Sequence, residues 1–192
     1  MEKMKIANNA FVYPMPVVVV GAVVNGKVNY MAVGWVCRVN FDPPMIGVAL
    51  GKRHHTNKGI REHKEFGVNI PGVDLMKAVD YVGLVSGALT DKSEVFDSFQ
   101  GQLKYAPMIR NCPLTLECKL VEAVELPGDE FFIGEIVGAY TEDRYLTDGK
   151  PDIKKMNPFT LTMTDNRYWS VGEALGKAWS IGQDFKQKKD SP

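Results

Sequence analysis

The sequence predicts a mainly β protein with inserted helices, built as an antiparallel β-barrel that is closed or partly split. Three observations carry that expectation. Two Val-rich runs flank Asn25-Gly26 in PVVVVGAVVNGKVNYMAVGWV, the pattern of a tight hairpin. Leu114, Leu116, Cys118 and Leu120 alternate with Thr115, Glu117 and Lys119, the period of a half-buried strand. The strand–helix alternation of a doubly wound sheet is missing, and so is a G-x-G-x-x-G turn.

Each element follows from local chemistry. Asn-Gly readily takes the two positive φ values of a type I′ turn. The second strand of that hairpin should run through Met31–Asn40 until Asp42-Pro43-Pro44, because neither proline can donate to a ladder. Met45–Leu50 reads as a third strand, apolar on both faces. Thr56 is a plausible N-cap for a short helix over 57–64 with Ile60 facing inward. Phe66–Pro71 is another strand. Leu75, Met76, Val79, Val82 and Val85 have helical spacing, opened by Asp74 and closed near Gly87. Pro127-Gly128-Asp129-Glu130 turns the alternating strand into an antiparallel partner over Phe131–Tyr140, and Phe159–Thr164 is a last short strand. An aromatic, glycine-rich tail follows, and its end, about 183–192, is polar and expected to fray. The six or seven strands and two or three helices form one domain over 1–192, with no internal repeat.

Composition narrows the function. Lys+Arg and Asp+Glu balance at 23 each, so no global field draws in nucleic acid or an anionic membrane, and any anion site must be local. The longest apolar run, Val17–Val24, is too short to span a bilayer, and the N-terminus lacks the marks of a signal peptide. Cys37, Cys112 and Cys118 form no CxxC and leave an odd count, which points to a reducing cytoplasm.

Two stretches carry chemistry. Lys52-Arg53-His54-His55-Thr56 places basic and hydroxyl groups between a strand and a helix N-terminus, a recipe for a phosphate monoester. A solvated basic turn is the plainer alternative. The strand before the Pro-Pro pair holds Trp35, which can wall a flat heterocycle, while Asn29 or Asn40 can hydrogen-bond its edge. A planar ring with a phosphate tail, FMN, meets both demands. His54, His55 and His63 have no carboxylate or Cys at ligand spacing, so no metal is expected. Cys37, in an apolar strand, reads as packed rather than redox-active.

The same segments resemble the flavin reductase-like, FMN-binding split-barrel proteins, a family that includes flavoredoxins and archaeal ferric reductases. YPMPVVVVGAVVNGKVNYMAVGWV, NFDPPMIGVAL, HHTNKGI and FGVNIP carry the resemblance, which continues loosely through CPLTLECKLVEAVEL and FFIGEIV. It implies that Asn29, Met31, Ala32, Val33, Gly34, Trp35, Val36 and Cys37 line the isoalloxazine ring. It implies that Lys52, His54, His55 and Thr56 hold the phosphate, and that the chain is a homodimer with flavin near the interface. Trp35, Cys37 and Arg38 depart from the small hydroxyl residues many relatives carry. The expected activity passes electrons from NADH or NADPH through FMN to free flavin, a ferric complex or a partner protein, with no catalytic side chain. The alternatives are a flavoredoxin-like FMN electron carrier without NAD(P)H activity, and a flavin-free ligand-binding barrel.

Overall fold

The computed structural model describes residues 1–183 and 185 of the 192-residue chain; the rest of the expected frayed tail lies outside the described residues. Strands β1 (Met15–Pro16), β2 (Val18–Val24), β3 (Lys27–Val33), β4 (Val36–Asn40) and β5 (Met45–Gly51) open the chain. Helix α1 (Thr56–His63) leads into β6 (Glu65–Ile70), and α2 (Met76–Leu84) follows a 3-10 turn over Val73–Leu75. The short strands β7 (Ser98–Phe99) and β8 (Met108–Ile109) precede the long hairpin of β9 (Leu114–Glu125) and β10 (Asp129–Thr141). The small elements β11 (Leu146–Thr147), β12 (Lys150–Pro151), α3 (Ile153–Met156), β13 (Phe159–Thr162) and β14 (Arg167–Ser170) follow.

Seven strands form the main sheet in the order β3-β2-β6-β9-β10-β5-β4, with every neighbouring pair antiparallel. Its two edges, β3 and β4, are consecutive in sequence and separated by Gly34-Trp35 alone. The chain therefore steps directly from one edge of the curled sheet to the other, and the Ala49 N–H donates to the Trp35 carbonyl at 2.9 Å, which extends the β4–β5 ladder to the seam. This is the split barrel. The single strand expected over Met31–Asn40 is broken at the seam, because its two halves pair with different neighbours: β3 with β2, β4 with β5.

The unbroken valine run of β2 is explained by burial on both faces. Val18, Val20 and Ala22 enter the barrel with Met31, Val48, Leu50, Phe66, Val68 and Phe132. Val17 and Val19 face outward against Tyr30, Val79, Val82 and Ile109. Ile60 of α1 and Cys118 of β9 join the barrel interior, as their spacing predicts. Asn25 and Gly26 have φ of 51° and 77°, the hairpin turn expected of them. Helix α1 lies so close to β2 that a Cβ at Gly59 would collide with the Val23 carbonyl oxygen.

Both helices differ at their starts from the sequence expectation. Helix α1 begins at Thr56 itself, with His55 in the cap position and no side-chain cap bond. Helix α2 begins at Met76 rather than near Asp74 and ends at Leu84, where Val85 turns extended. The three-stranded sheet β1-β13-β14 sits beside the barrel, and β14 was not foreseen in the aromatic tail. Among the described residues no helix is long and apolar enough to cross a membrane.

Candidate functional site

A continuous groove runs along β3 past the barrel seam. Its outer cleft, about 340 Å³, begins at Lys27, Val28 and Asn29. The next, about 240 Å³, shares Asn29, His55, Gly87 and Lys92 with it and adds Met31 and Ala32. A third, about 330 Å³, shares Met31, Ala32 and His54 with the second and reaches Gly34 and Trp35. A fourth, about 530 Å³ and apolar, takes over at Gly34 and Trp35 and ends at Val36, Cys37 and Phe131. Asn29 to Trp35 is six residues, about 20 Å at ~3.3 Å per residue. That is enough for an elongated ligand with unlike ends.

The second cleft is built for an anion. Lys92 is 4% exposed, and its ammonium donates to the carbonyls of Tyr30 (3.0 Å) and Val82 (2.8 Å). Among the described residues no carboxylate pairs with it, so its positive charge is uncompensated at the cleft wall. Burial lowers its pKa, the response of a cation that has lost water and gained no counter-charge. The Asn29 amide donates to the Thr56 hydroxyl at 2.8 Å, which leaves the hydroxyl proton of buried Thr56 free to donate to a ligand. The Nδ1 atom of His55 is buried without a partner. His54 and His55 are both held below the ordinary histidine value, first by burial; Lys92 lowers both, and so does Arg53 for His54 and Lys58 for His55. Both rings are therefore neutral near pH 7, and the charge of the cleft comes from Lys92. Gly87 completes the cradle, since a Cβ there would strike the Asn29 side-chain oxygen.

The loop bearing these groups is braced from behind. Glu130 is 7% exposed, accepts from Asn57 at 2.6 Å and is paired with Arg61. Asn57 also donates to the Gly51 carbonyl at 3.2 Å. These bonds tie the start of α1 to β10 and to the loop that carries His54 and His55.

The third cleft suits a flat apolar ring. Trp35, 47% exposed, Met31 and Ala49 line it from the barrel, and Leu161 and Met163 from β13 and the residue after it. Polarizable thioethers pack well against aromatic surfaces. The donor set as a whole fits FMN: a ring cleft with an indole, and beside it a cleft with an uncompensated buried cation and the orphaned ring nitrogen of His55 for the phosphate.

The structure brings together Asn29, Met31, Ala32, Val33, Gly34, Trp35, His54, His55 and Thr56 along the groove. It places the remaining candidates outside the second and third clefts. Val36 and Cys37 line the apolar cleft beyond Trp35, and Cys37 is exposed rather than packed. Asn40 donates to the Pro43 carbonyl at 2.8 Å and Arg38 to the Asn40 carbonyl at 2.6 Å, so both hold the turn that ends β4. Lys52 points toward Glu125 at 3.8 Å and is outside the described lining of the groove. Lys92, Ser86 and Gly87 were missed, because DKSE around Lys92 reads as a solvated polar run.

The comparisons with known proteins bear on the family and the fold. Residues 10–171 match the model of the flavin reductase-like domain. The flavoredoxin of Methanosarcina acetivorans superposes with a TM-score of 0.94 at 55% identity, covering 95% of this chain and 98% of that one. The flavoredoxin of Desulfovibrio vulgaris (Miyazaki F) does so at 0.86 and 33% identity, covering 94% and 100%. An FMN-binding protein of Thermus thermophilus shares the fold at 0.79 and 21% identity, covering 92% and 98%. A barrel whose two edge strands are joined by Gly34-Trp35, a groove along β3 and a family match over most of the chain lead to one conclusion: the protein belongs to the flavin reductase-like family.

Proposed function

We propose that the chain binds FMN in the β3 groove and serves as an electron carrier of the flavoredoxin type. The observation that carries this reading is the likeness, at 55% identity over nearly all of both chains, to the M. acetivorans flavoredoxin. The groove supports it: Lys92, Thr56 and His55 hold the phosphate, and Trp35, Met31 and Met163 flank the ring. When bound, FMN supplies the redox chemistry. The protein's residues supply position, partial exclusion of water and a fixed positive charge at the phosphate end.

The family's description as flavin reductase-like favours a second reading, in which NADH or NADPH reduces the bound flavin directly and electrons pass to free flavin or a ferric complex. The apolar cleft beyond Trp35, with Phe11, Val12 and Phe131 in its wall, supports a homodimer in which a second copy covers it. Three free cysteines support a reducing, cytoplasmic setting.

A visible absorption spectrum of the purified protein tests the main reading. A yellow protein that bleaches with dithionite or a reduced protein partner, but not with NADH or NADPH under anaerobic conditions, is the expected result. Rapid bleaching by either nicotinamide replaces the carrier with the reductase, and a colourless protein with no FMN affinity ends both.

A further inference from the structure

The groove does not stop at the phosphate cleft. Past Lys92 it opens into the outer cleft, which is the larger of the two, about 340 Å³ against about 240 Å³. Space alone therefore does not exclude a second phosphate there. What distinguishes the outer cleft is a carboxylate that the inner one lacks. Its wall carries Asp91, whose Oδ2 accepts from Lys27 at 2.6 Å and whose Oδ1 accepts from the Ser93 N–H at 3.0 Å. Lys92 lines both clefts without a carboxylate partner among the described residues, while Lys27, the further lysine of the outer cleft, is already neutralised by Asp91.

We infer that the Lys27–Asp91 pair sets flavin selectivity at the phosphate end: the Asp91 carboxylate disfavours a second phosphate and so favours the mononucleotide FMN over the dinucleotide FAD. The inference rests on the FMN reading above and adds to it the discrimination between the two flavin nucleotides. It has a signature that a merely structural ion pair lacks. Removing the carboxylate releases Lys27 to meet the second phosphate, so FAD gains. Removing the lysine leaves Asp91 uncompensated, so FAD loses. A pair that only ties the loop over 86–92 to β3 would loosen the site in the same sense whichever partner was removed.

The test is fluorescence titration of the flavin-free full chain with FMN and with FAD, for the wild type, Asp91→Asn and Lys27→Met. Asn keeps the oxygen that accepts the Ser93 N–H, and Asp91→Ser is the second variant should Asn fail to fold. In the wild type the ratio Kd(FAD)/Kd(FMN) is expected to be at least about tenfold. Asp91→Asn should lower it and Lys27→Met raise it, each by about fivefold, the scale of one exposed charge interaction. Both shifts should shrink between about 0.02 and 0.5 M salt, because the pair is solvent-exposed. A wild-type ratio near one overturns the inference. So do two variants that move the ratio the same way, or not at all, while FMN still binds. Absence of FMN binding in the wild type overturns the FMN reading itself.

Discussion

The chain has two cationic regions beside its groove, and they teach opposite lessons. Lys52-Arg53 is the one a reader of the sequence sees: adjacent charges after a strand, before a helix. In the fold Lys52 is largely solvated and faces Glu125. Lys92 stands among Asp91, Ser93 and Glu94 and looks neutralised. In the fold it is buried, held by two carbonyls and faces the cleft with no paired carboxylate among the described residues. Charge density along a chain says little about binding. Burial and the lack of a counter-charge decide it, since a screened charge interacts weakly and a desolvated one strongly.

The largest expected effect is therefore at the buried site. Lys92→Met should weaken FMN binding by roughly 2–4 kcal/mol, while riboflavin, which has no phosphate, should lose far less. Equal losses for the two in a calorimetric titration would reduce Lys92 to a structural prop. Its titration gives a second handle. A bound phosphate raises the Lys92 pKa above its depressed free-protein value. Affinity is then full below that free value and falls as pH rises through it. An alkaline loss of FMN affinity that persists in Lys92→Met would assign the titration to another group.

Thr56→Val removes the hydroxyl and strips the Asn29 amide of its acceptor, so a loss of about 1–1.5 kcal/mol is expected. Unchanged affinity would place the phosphate away from the start of α1. Trp35→Ala should alter the absorption and fluorescence of bound flavin and cost about 1 kcal/mol; an unmoved spectrum would take the indole away from the ring. The smallest effect belongs to Lys52→Ala, under about 0.5 kcal/mol. Were it to match Lys92→Met, the contrast between the two cationic regions would collapse.

The fold was largely legible because its signals are local. The Asn25-Gly26 turn, the Pro43-Pro44 stop and the alternation over 114–120 depend on φ preferences and side-chain period, which neighbouring residues set by themselves. Half of the groove was legible for the same reason, since Asn29 to Val33 lie on one strand and Gly34-Trp35 follow it directly. The errors came where a residue's role depends on distant chain. Met31–Asn40 looked like one strand because nothing local marks a seam; the break at Gly34-Trp35 follows from closing a seven-stranded sheet on itself. Asn40 looked like a ligand group because its turn partner, the carbonyl of Pro43, is backbone and carries no sequence mark.

By itself the sequence determined the β class, the hairpin, the helix spacing and the strand along which the groove runs. The tertiary structure alone decided which cation is buried at the groove without a counter-charge among the described residues. It lays the segment after α2 across β3, so that Lys92 meets the carbonyls of Tyr30 and Val82 and Gly87 fits against Asn29. Turn and strand preferences reside in a few adjacent residues, whereas desolvation and charge compensation are properties of whatever the folded chain brings alongside.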